Sequence, residues 1–339
     1  MANTDFDYYE PRHPTYRQFA TDVYHAMTGY WKKLESHDLT PHGWWSTLRQ
    51  NGSCDVNDVI AVIVSAYLWT ILRETLTKGL FKPLAKVSGL SKKDQAKTPE
   101  CLWKLFFSTI AWSYSAFLVL YRYDLFHHPS LSVQHWNLHS RVPLDLYIAY
   151  VFQLSYYAHS IYATTFLDEW RKDSSILLLH HVFTILLLTS SYLFRYTLLG
   201  ALVLFFHDFS DIFLELTKLM VYYKTKGGVW ARWCETLSTA GFVAFGTSWF
   251  VFRLYWFPLK AIYVSAYISS LVEEKVPPFY FFTNGLMLAL LVMHLYWFKF
   301  ILHMAYKVCF GKTKEIKDTR EYEERVASMG NGVQQRKQD

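Results

Sequence analysis

The sequence predicts an all-α membrane protein, a polytopic helical bundle of about seven transmembrane helices, and three observations carry that expectation. Hydrophobic residues make up 52% of the 339 positions and aromatics 19%, while charged residues make up only 18%, against about 25% in ordinary soluble domains. The charges are segregated, clustering between long apolar runs and at the two ends, whereas a soluble chain spreads them along every amphipathic element. Seven segments are also long and apolar enough for a helix to cross the hydrocarbon core, which takes about 20 residues.

Those segments are 56–72, 102–121, 144–166, 176–194, 198–217, 237–257 and 279–306. The last is long enough to require tilt. The apolar stretch 259–272 is too short to span and reads as a re-entrant or interfacial piece. Residues 1–55 read as a lumenal N-terminal segment, 56–96 as the first span with a short cytosolic loop, and 312–339 as a charged, disordered cytosolic tail. No positive n-region precedes a short apolar core, so no cleaved signal peptide is expected.

Orientation follows from Lys and Arg in the connecting segments. With the N-terminus in the lumen, lumenal segments carry ten basic residues and cytosolic ones 21. An odd number of spans then leaves the C-terminus in the cytosol. Asn51-Gly52-Ser53 is an N-glycosylation sequon, usable only on the lumenal side, which makes Asn51 a glycosylation candidate. Lys337, near the C-terminus, resembles part of a dibasic retrieval signal and points to the endoplasmic reticulum membrane. Trp44 and Trp45 are expected at the interface, and the aromatic run Trp249 to Trp256 reads as an interfacial belt. Cys54, Cys101, Cys234 and Cys309 are widely spaced and suggest neither a disulfide framework nor a zinc site.

Ionisable side chains inside a span are expensive and usually mark function. Two neighbouring spans hold most of them: His180 and His181 in the fourth, and His207, Asp208, Asp211 and Glu215 in the fifth, with Lys218 at its end. Residues three, four or seven apart share a helix face, so Asp208, Asp211, Glu215 and Lys218 form one stripe with His207 on its edge. Such a stripe must line a cavity or pair with cations. At ~1.5 Å per residue, His180 lies roughly 7 Å inside the cytosolic end of its span. A histidine can act as nucleophile or general base, with a carboxylate fixing its tautomer. Imidazoles with carboxylates could also bind metal, but the H-x-x-x-H and H-x-x-H-H spacings of membrane di-iron enzymes are missing, and no metal is expected. The loop histidines His127, His128, His135 and His139 read as a surface, His159 and His294 as packing or helix-bridging residues, and Arg253 as a snorkelling cation. There is no P-loop, nucleotide-binding glycine pattern or G-x-S-x-G, and no nucleic-acid partner is expected.

The run from Trp170 to Lys224 resembles the signature of the ceramide synthases, the Lag motif within the TLC (TRAM–Lag–CLN8) domain. It reads Trp170-Arg171-Lys172-Asp173, His180-His181, Ser191-Tyr192, Arg195 and Gly200. His207-Asp208-Phe209-Ser210-Asp211, Leu214-Glu215 and Lys218 follow. The TLC-like region covers 97–311. Residues 73–101 leave about 29 positions between the first two spans, too few for the homeobox-like insert of most animal members. The chain is therefore similar to the vertebrate members without it, on Phe81 to Lys86, Trp112 to Ala116 and Phe252 to Lys260.

The resemblance implies the TLC fold and acyl-CoA-dependent N-acylation of a sphingoid base, with preference for stearoyl-CoA and acyl choice influenced by about 259–278. It implies His180, His181, Asp208 and Asp211 as catalytic and His207, Ser210, Glu215 and Lys218 as supporting. It calls for no cofactor, since acyl-CoA is a substrate, and it allows dimerisation with itself or other ceramide synthases in the lipid bilayer. Two other classes stay open on the residues: a non-catalytic TLC lipid carrier or sensor, and a proton-coupled transporter using the same buried ionisable groups.

Overall fold

The computed structural model describes residues 13–34, 41–134, 136–229, 231–273 and 275–310. The expected disordered tail, the retrieval signal, His135 and the side chain of Trp44 lie outside them. Ten helices follow in order: α1 (Tyr16–Leu34), α2 (Pro41–Asn51), α3 (Val56–Val87), α4 (Lys92–Arg122), α5 (Leu131–Gln134), α6 (Leu144–Phe166), α7 (Ser174–Leu193), α8 (Thr197–Thr225), α9 (Ala231–Val272) and α10 (Tyr280–Cys309). Among the described residues there is no strand.

Six of these, α3, α4, α7, α8, α9 and α10, are long and apolar enough to cross a membrane. The protein is therefore a multi-pass membrane protein. The other expected span, 144–166, forms the 23-residue α6, long enough to cross. Gln153, His159 and five tyrosines make it too polar to belong with the six. A count of seven is thus met in length but not in apolarity.

Several helices start where local chemistry places them. At α3 the Asp55 carboxylate accepts from the Asn57 amide (2.9 Å) and Asp58 accepts from the Asp55 amide (3.0 Å), satisfying two orphan donors of the first turn. Ser91 accepts from the Asp94 amide (3.1 Å) ahead of α4. Residues 73–87, expected as a loop, instead continue α3 through a wide turn at Thr77–Phe81. Arg73 is consequently inside the helix, and buried.

The expected interfacial piece 259–272 likewise continues the helix before it. α9 runs 42 residues without a break, which exceeds the ~30 Å hydrocarbon core at ~1.5 Å per residue. Its middle, Trp249–Ile262, is wound in wide π-type turns around Pro258. Proline lacks an N–H, and in such wide turns the missing bond is to the carbonyl five residues earlier, that of Arg253. The neighbouring Leu254 carbonyl accepts from the Tyr16 hydroxyl of α1 at 3.0 Å. The docking of α1 continues along α9: the Tyr263 hydroxyl donates to Asp22 (2.9 Å), and that of Tyr30 to the Glu273 carbonyl (2.7 Å). Burial and Glu273 push the Tyr30 phenol up to about 12, so it stays a donor at neutral pH.

α8 is the central helix: 67% of its span is buried, against 11% for the peripheral α3. Lipid tails are as apolar as leucine, so helix association rests on close packing and buried polar contacts. Two glycines give that closeness. A Cβ on Gly241 of α9 would meet Thr217 of α8 at 2.5 Å, and one on Gly200 would run into the Tyr150 hydroxyl and Ser191. Phe206 and Leu202 of α8 and Phe257 of α9 are fully buried. Trp249 and Phe252, expected in an interfacial belt, belong to this core. Their spacing alone cannot separate a belt from a core face, because both want aromatics in a row.

Candidate active site

α7 presents His180 and His181 half-buried, with ring centres 5.8 Å apart. Consecutive residues on a helix diverge by about 100°, and their surroundings differ accordingly. His180 meets the Trp297 ring edge-on at 5.5 Å, and the Trp297 indole N–H donates to Asp173 (3.0 Å), fixing that wall. His181 rests against Tyr157 of α6 at 5.6 Å. Neither Nδ1 has a hydrogen-bond partner.

The carboxylates of α8 are held, but not by the paired histidines. Asp208, buried, accepts from the Gln153 amide of α6 at 2.9 Å. Asp211 pairs with Arg253 of α9 at 2.9 Å. Glu215 pairs with Lys218, one helical turn on, at 2.7 Å. The stripe therefore meets two cations and an amide, as a buried acidic face must. Ser210, fully buried, has an unpartnered hydroxyl. Among the described residues no hydrogen bond joins Asp208 or Asp211 to His180 or His181, so direct carboxylate–imidazole pairing, the arrangement a tautomer-fixing acid would need, is not present.

Arg253 is not a snorkelling cation. It is buried, stacks on Trp249 with its guanidinium 4.0 Å from the ring centre, and donates to both Asp211 and the His207 carbonyl. His294 of α10 bridges helices. Its ring lies 4.7 Å from His207 and 6.5 Å from His180, completing a row of four imidazoles: His181, His180, His294 and His207. The row is extended rather than convergent, and no three His, Cys, Asp or Glu side chains among the described residues are placed to hold one metal ion. His159 does bridge helices, its Nδ1 lying 3.0 Å from the Thr70 hydroxyl.

An ionic tier lies at the end of the bundle where α7 begins. Asp168 pairs with Arg73 and with Lys104 (3.1 Å), and Glu100 pairs with Lys104 (2.6 Å) and Arg171 (3.1 Å). On the opposite side of the imidazoles a small apolar cavity is lined by Leu187, Leu188, Leu199, Val203 and Met287, and closed by Ser191, Tyr196 and Gly200. Leu187 lies seven residues after His180, on the same face of α7. The arrangement offers two unbonded imidazoles between a charged rim and an apolar slot.

Elsewhere, Ser53 of the Asn51 sequon bonds through its amide to the Leu193 carbonyl (3.1 Å) and through its hydroxyl to Arg195 (2.6 Å). His127 sits at 2.6 Å from Asp124. Cys54, Cys101 and Cys234 are free thiols.

Sequence reasoning missed Gln153, Tyr157, Arg253, His294 and Trp297. Arg253 and His294 did carry a signal, an ionisable side chain inside an apolar run. Gln153, Tyr157 and Trp297 carry no such mark.

Comparison with known proteins adds the following. Residues 97–303 match the TLC domain. Human "Ceramide synthase 1" is 47% identical over 267 residues, covering 78% of this chain and 76% of the relative. The mouse protein of that name is 45% identical over 269 residues, with the same coverage. "Ceramide synthase LOH1" of Arabidopsis thaliana is 32% identical over 182 residues, 52% of this chain and 56% of the relative.

Proposed function

This chain belongs to the TLC-domain proteins and, within them, to the ceramide synthases, and on that premise we propose that it transfers the acyl group of an acyl-CoA to the amine of a sphingoid base. The products are coenzyme A and a dihydroceramide or ceramide. The observation that carries the reading is the pair His180–His181, adjacent and half-buried with both Nδ1 atoms unbonded, between a charged rim and an apolar slot.

A thioester is already activated and its thiolate leaves readily. One imidazole nitrogen of the pair attacks the carbonyl carbon, the C–S bond breaks, and the thiolate departs to be protonated as coenzyme A. The second imidazole takes a proton from the sphingoid ammonium, which is mostly charged at neutral pH. The freed amine attacks the acyl-imidazole, loses a proton, and the C–N bond to the ring breaks, restoring the histidine. Asp208 and Asp211 support the site through Gln153 and Arg253. Lys218 neutralises Glu215, while Ser210 keeps a free hydroxyl beside the stripe.

Stearoyl-CoA is the preferred donor, its chain entering on the apolar side at Leu187, where the cavity of about 20 Å³ must widen to admit it. The ionic tier faces the cytosol, where the water-soluble CoA resides, and the N-terminus lies in the lumen of the endoplasmic reticulum. The full His180-His181 and His207-to-Glu215 set supports an enzyme over a lipid carrier, and no inverted repeat of broken helices supports a transporter.

Purified full-length protein, given sphinganine and acyl-CoA donors of graded length, tests this. Amide formation with a maximum at eighteen carbons is the expected result. A maximum elsewhere removes the donor preference alone. Absence of amide at every length overturns the enzyme reading in favour of a carrier or transporter.

A further inference from the structure

Two buried imidazoles are left over by that mechanism. His207 sits with its Nδ1 at 2.6 Å from the Val203 carbonyl oxygen. A carbonyl only accepts, so Nδ1 carries the hydrogen and Nε2 presents a bare lone pair. That Nε2 has no partner. His294 is wholly buried; its ring N–H faces the Arg253 carbonyl, and its other nitrogen is a bare acceptor. The rings lie 4.7 Å apart, with Phe257 and Trp249 packed against His294 at 5.5 and 6.0 Å. A buried polar group without a partner costs about 1–3 kcal/mol, so two such nitrogens side by side need an explanation, and a ligand that meets them provides one.

The inventory defines the ligand. A neutral imidazole has one donor and one acceptor; the His294 N–H is taken by the Arg253 carbonyl and that of His207 by the Val203 carbonyl, so each ring offers one acceptor. A carboxylate or phosphate, which only accepts, would leave both unmet, and so would a hydrocarbon. A hydroxyl beside a neutral amine fits: the hydroxyl donates to one acceptor and an amine N–H to the other. His180, 6.5 Å from His294 on the far side, places such an amine within reach of the acyl-bearing pair.

We propose that His207 and His294 form the polar subsite that takes the amino-alcohol head of the acceptor and aims its amine at the His180–His181 pair. The proposal rests on the acyl-transfer reading above. His294 here binds substrate and takes no part in breaking the thioester.

The test compares sphinganine with analogues lacking the 1-hydroxyl or the 3-hydroxyl, at saturating acyl-CoA, in the parent, His294→Phe and His294→Gln. In the parent, loss of the recognised hydroxyl raises the acceptor KM about tenfold, the equivalent of one unmet buried group. His294→Phe raises the sphinganine KM by about the same factor and moves the KM of that deoxy acceptor less than about twofold. The acyl-CoA KM is unchanged, and His294→Gln, which restores a donor and an acceptor, recovers part of the discrimination. Retained discrimination in His294→Phe, or a fall in kcat common to every acceptor with KM values intact, overturns the subsite. Should His294→Phe be inactive or unfolded, the parent decides: equal KM values for sphinganine and both deoxy analogues overturn the subsite, and a raised KM for one of them supports it. No amide from the parent with any acceptor overturns this proposal and the enzyme reading together; parent activity with a failed subsite overturns this one alone.

Discussion

Arg253 of α9 holds the main-chain carbonyl of His207 in α8 with two guanidinium nitrogens, Nε at 3.1 Å and Nη2, and the same Nη2 reaches Asp211 at 2.9 Å. One side chain thereby ties the wide-turned middle of α9 to the helix that carries the acidic stripe. A carbonyl inside an α-helix is ordinarily occupied by the amide four residues on. Here it has a second partner, using the second lone pair of its oxygen.

The first prediction concerns that clamp. Removing one member of a fully buried ion pair costs about 3–5 kcal/mol. The Asp211 side chain is 38% exposed, so water screens part of the loss, and about 2 kcal/mol is expected for Arg253→Met, seen as a lower thermal-unfolding midpoint in detergent. Arg253→Lys, a point charge without the fork, recovers less than half. Adding Asp211→Asn to Arg253→Met recovers stability, because it removes the orphaned charge. Equal midpoints for the Met single and double variants would mean the ion pair contributes nothing and the clamp acts through the carbonyl alone.

That clamp also marks where the sequence was readable. Spans emerged because apolar length is a one-dimensional property, and α7, α8 and α10 fall close to their expected positions. The polar stripe emerged because Asp208, Asp211, Glu215 and Lys218 share one helix and its period is fixed. Contacts between helices were another matter. Arg253 was given a surface role and His294 a packing or helix-bridging role because their partners lie on other helices, Asp211 and His207 on α8 and His180 on α7. The continuity of α9 was hidden by Pro258, which ordinarily ends a helix, but here wide turns absorb it, and Tyr16, far away in sequence, braces the same turn through the Leu254 carbonyl. Residues 73–87 were hidden by their charge: Arg73 reads as loop until Asp168 comes to meet it.

A covalent intermediate is the second prediction. Incubated with acyl-CoA and no acceptor, the protein gains the mass of one acyl group, detected by intact-mass spectrometry. His180→Ala or His181→Ala abolishes the gain, and the one that does so names the nucleophile. Adding sphinganine to the isolated adduct discharges it as amide. Normal turnover with no adduct at any time point selects direct attack of the amine on the thioester, a route that uses the same residues.

Asp168 supplies a third. It accepts from Arg73 and Lys104 together, and both cations are largely enclosed, with side chains 10% and 24% exposed. Asp168→Asn keeps the shape and removes the charge, leaving Arg73 without its acid. Lys104 retains Glu100. The expected loss is about 3 kcal/mol, the lower end for a broken buried pair, visible as poor recovery of folded protein and a lower unfolding midpoint. Arg73→Met in the Asp168→Asn background restores part of it. A midpoint for Asp168→Asn within a degree or so of the parent would place this tier among surface pairs worth about 0–1 kcal/mol.

Gly200 supplies the last, and it links helix packing to the slot beyond the histidines. A Cβ at this position would overlap the Tyr150 hydroxyl and stand 2.8 Å from Ser191 Oγ and 2.9 Å from Tyr150 Cζ. Tyr150 and Ser191 are themselves bonded at 2.6 Å, and Ser191 donates to the Tyr196 carbonyl at 2.8 Å. Gly200→Ala must therefore push α6 away from α8 or break this hydroxyl pair, and overpacking of this kind costs about 1–3 kcal/mol. Tyr150→Phe removes the atom nearest the new methyl, while Ser191 keeps its Tyr196 partner. The double variant Gly200→Ala, Tyr150→Phe should lie closer to the parent than Gly200→Ala alone, a coupling of about 1 kcal/mol between touching sites. Because Gly200, Ser191 and Tyr196 also close the apolar slot, the single variant should lose activity with long acyl donors more than with short ones. Additive midpoints in the double variant would show that the methyl finds room elsewhere. A uniform loss across donor lengths would remove this end of the slot from acyl recognition.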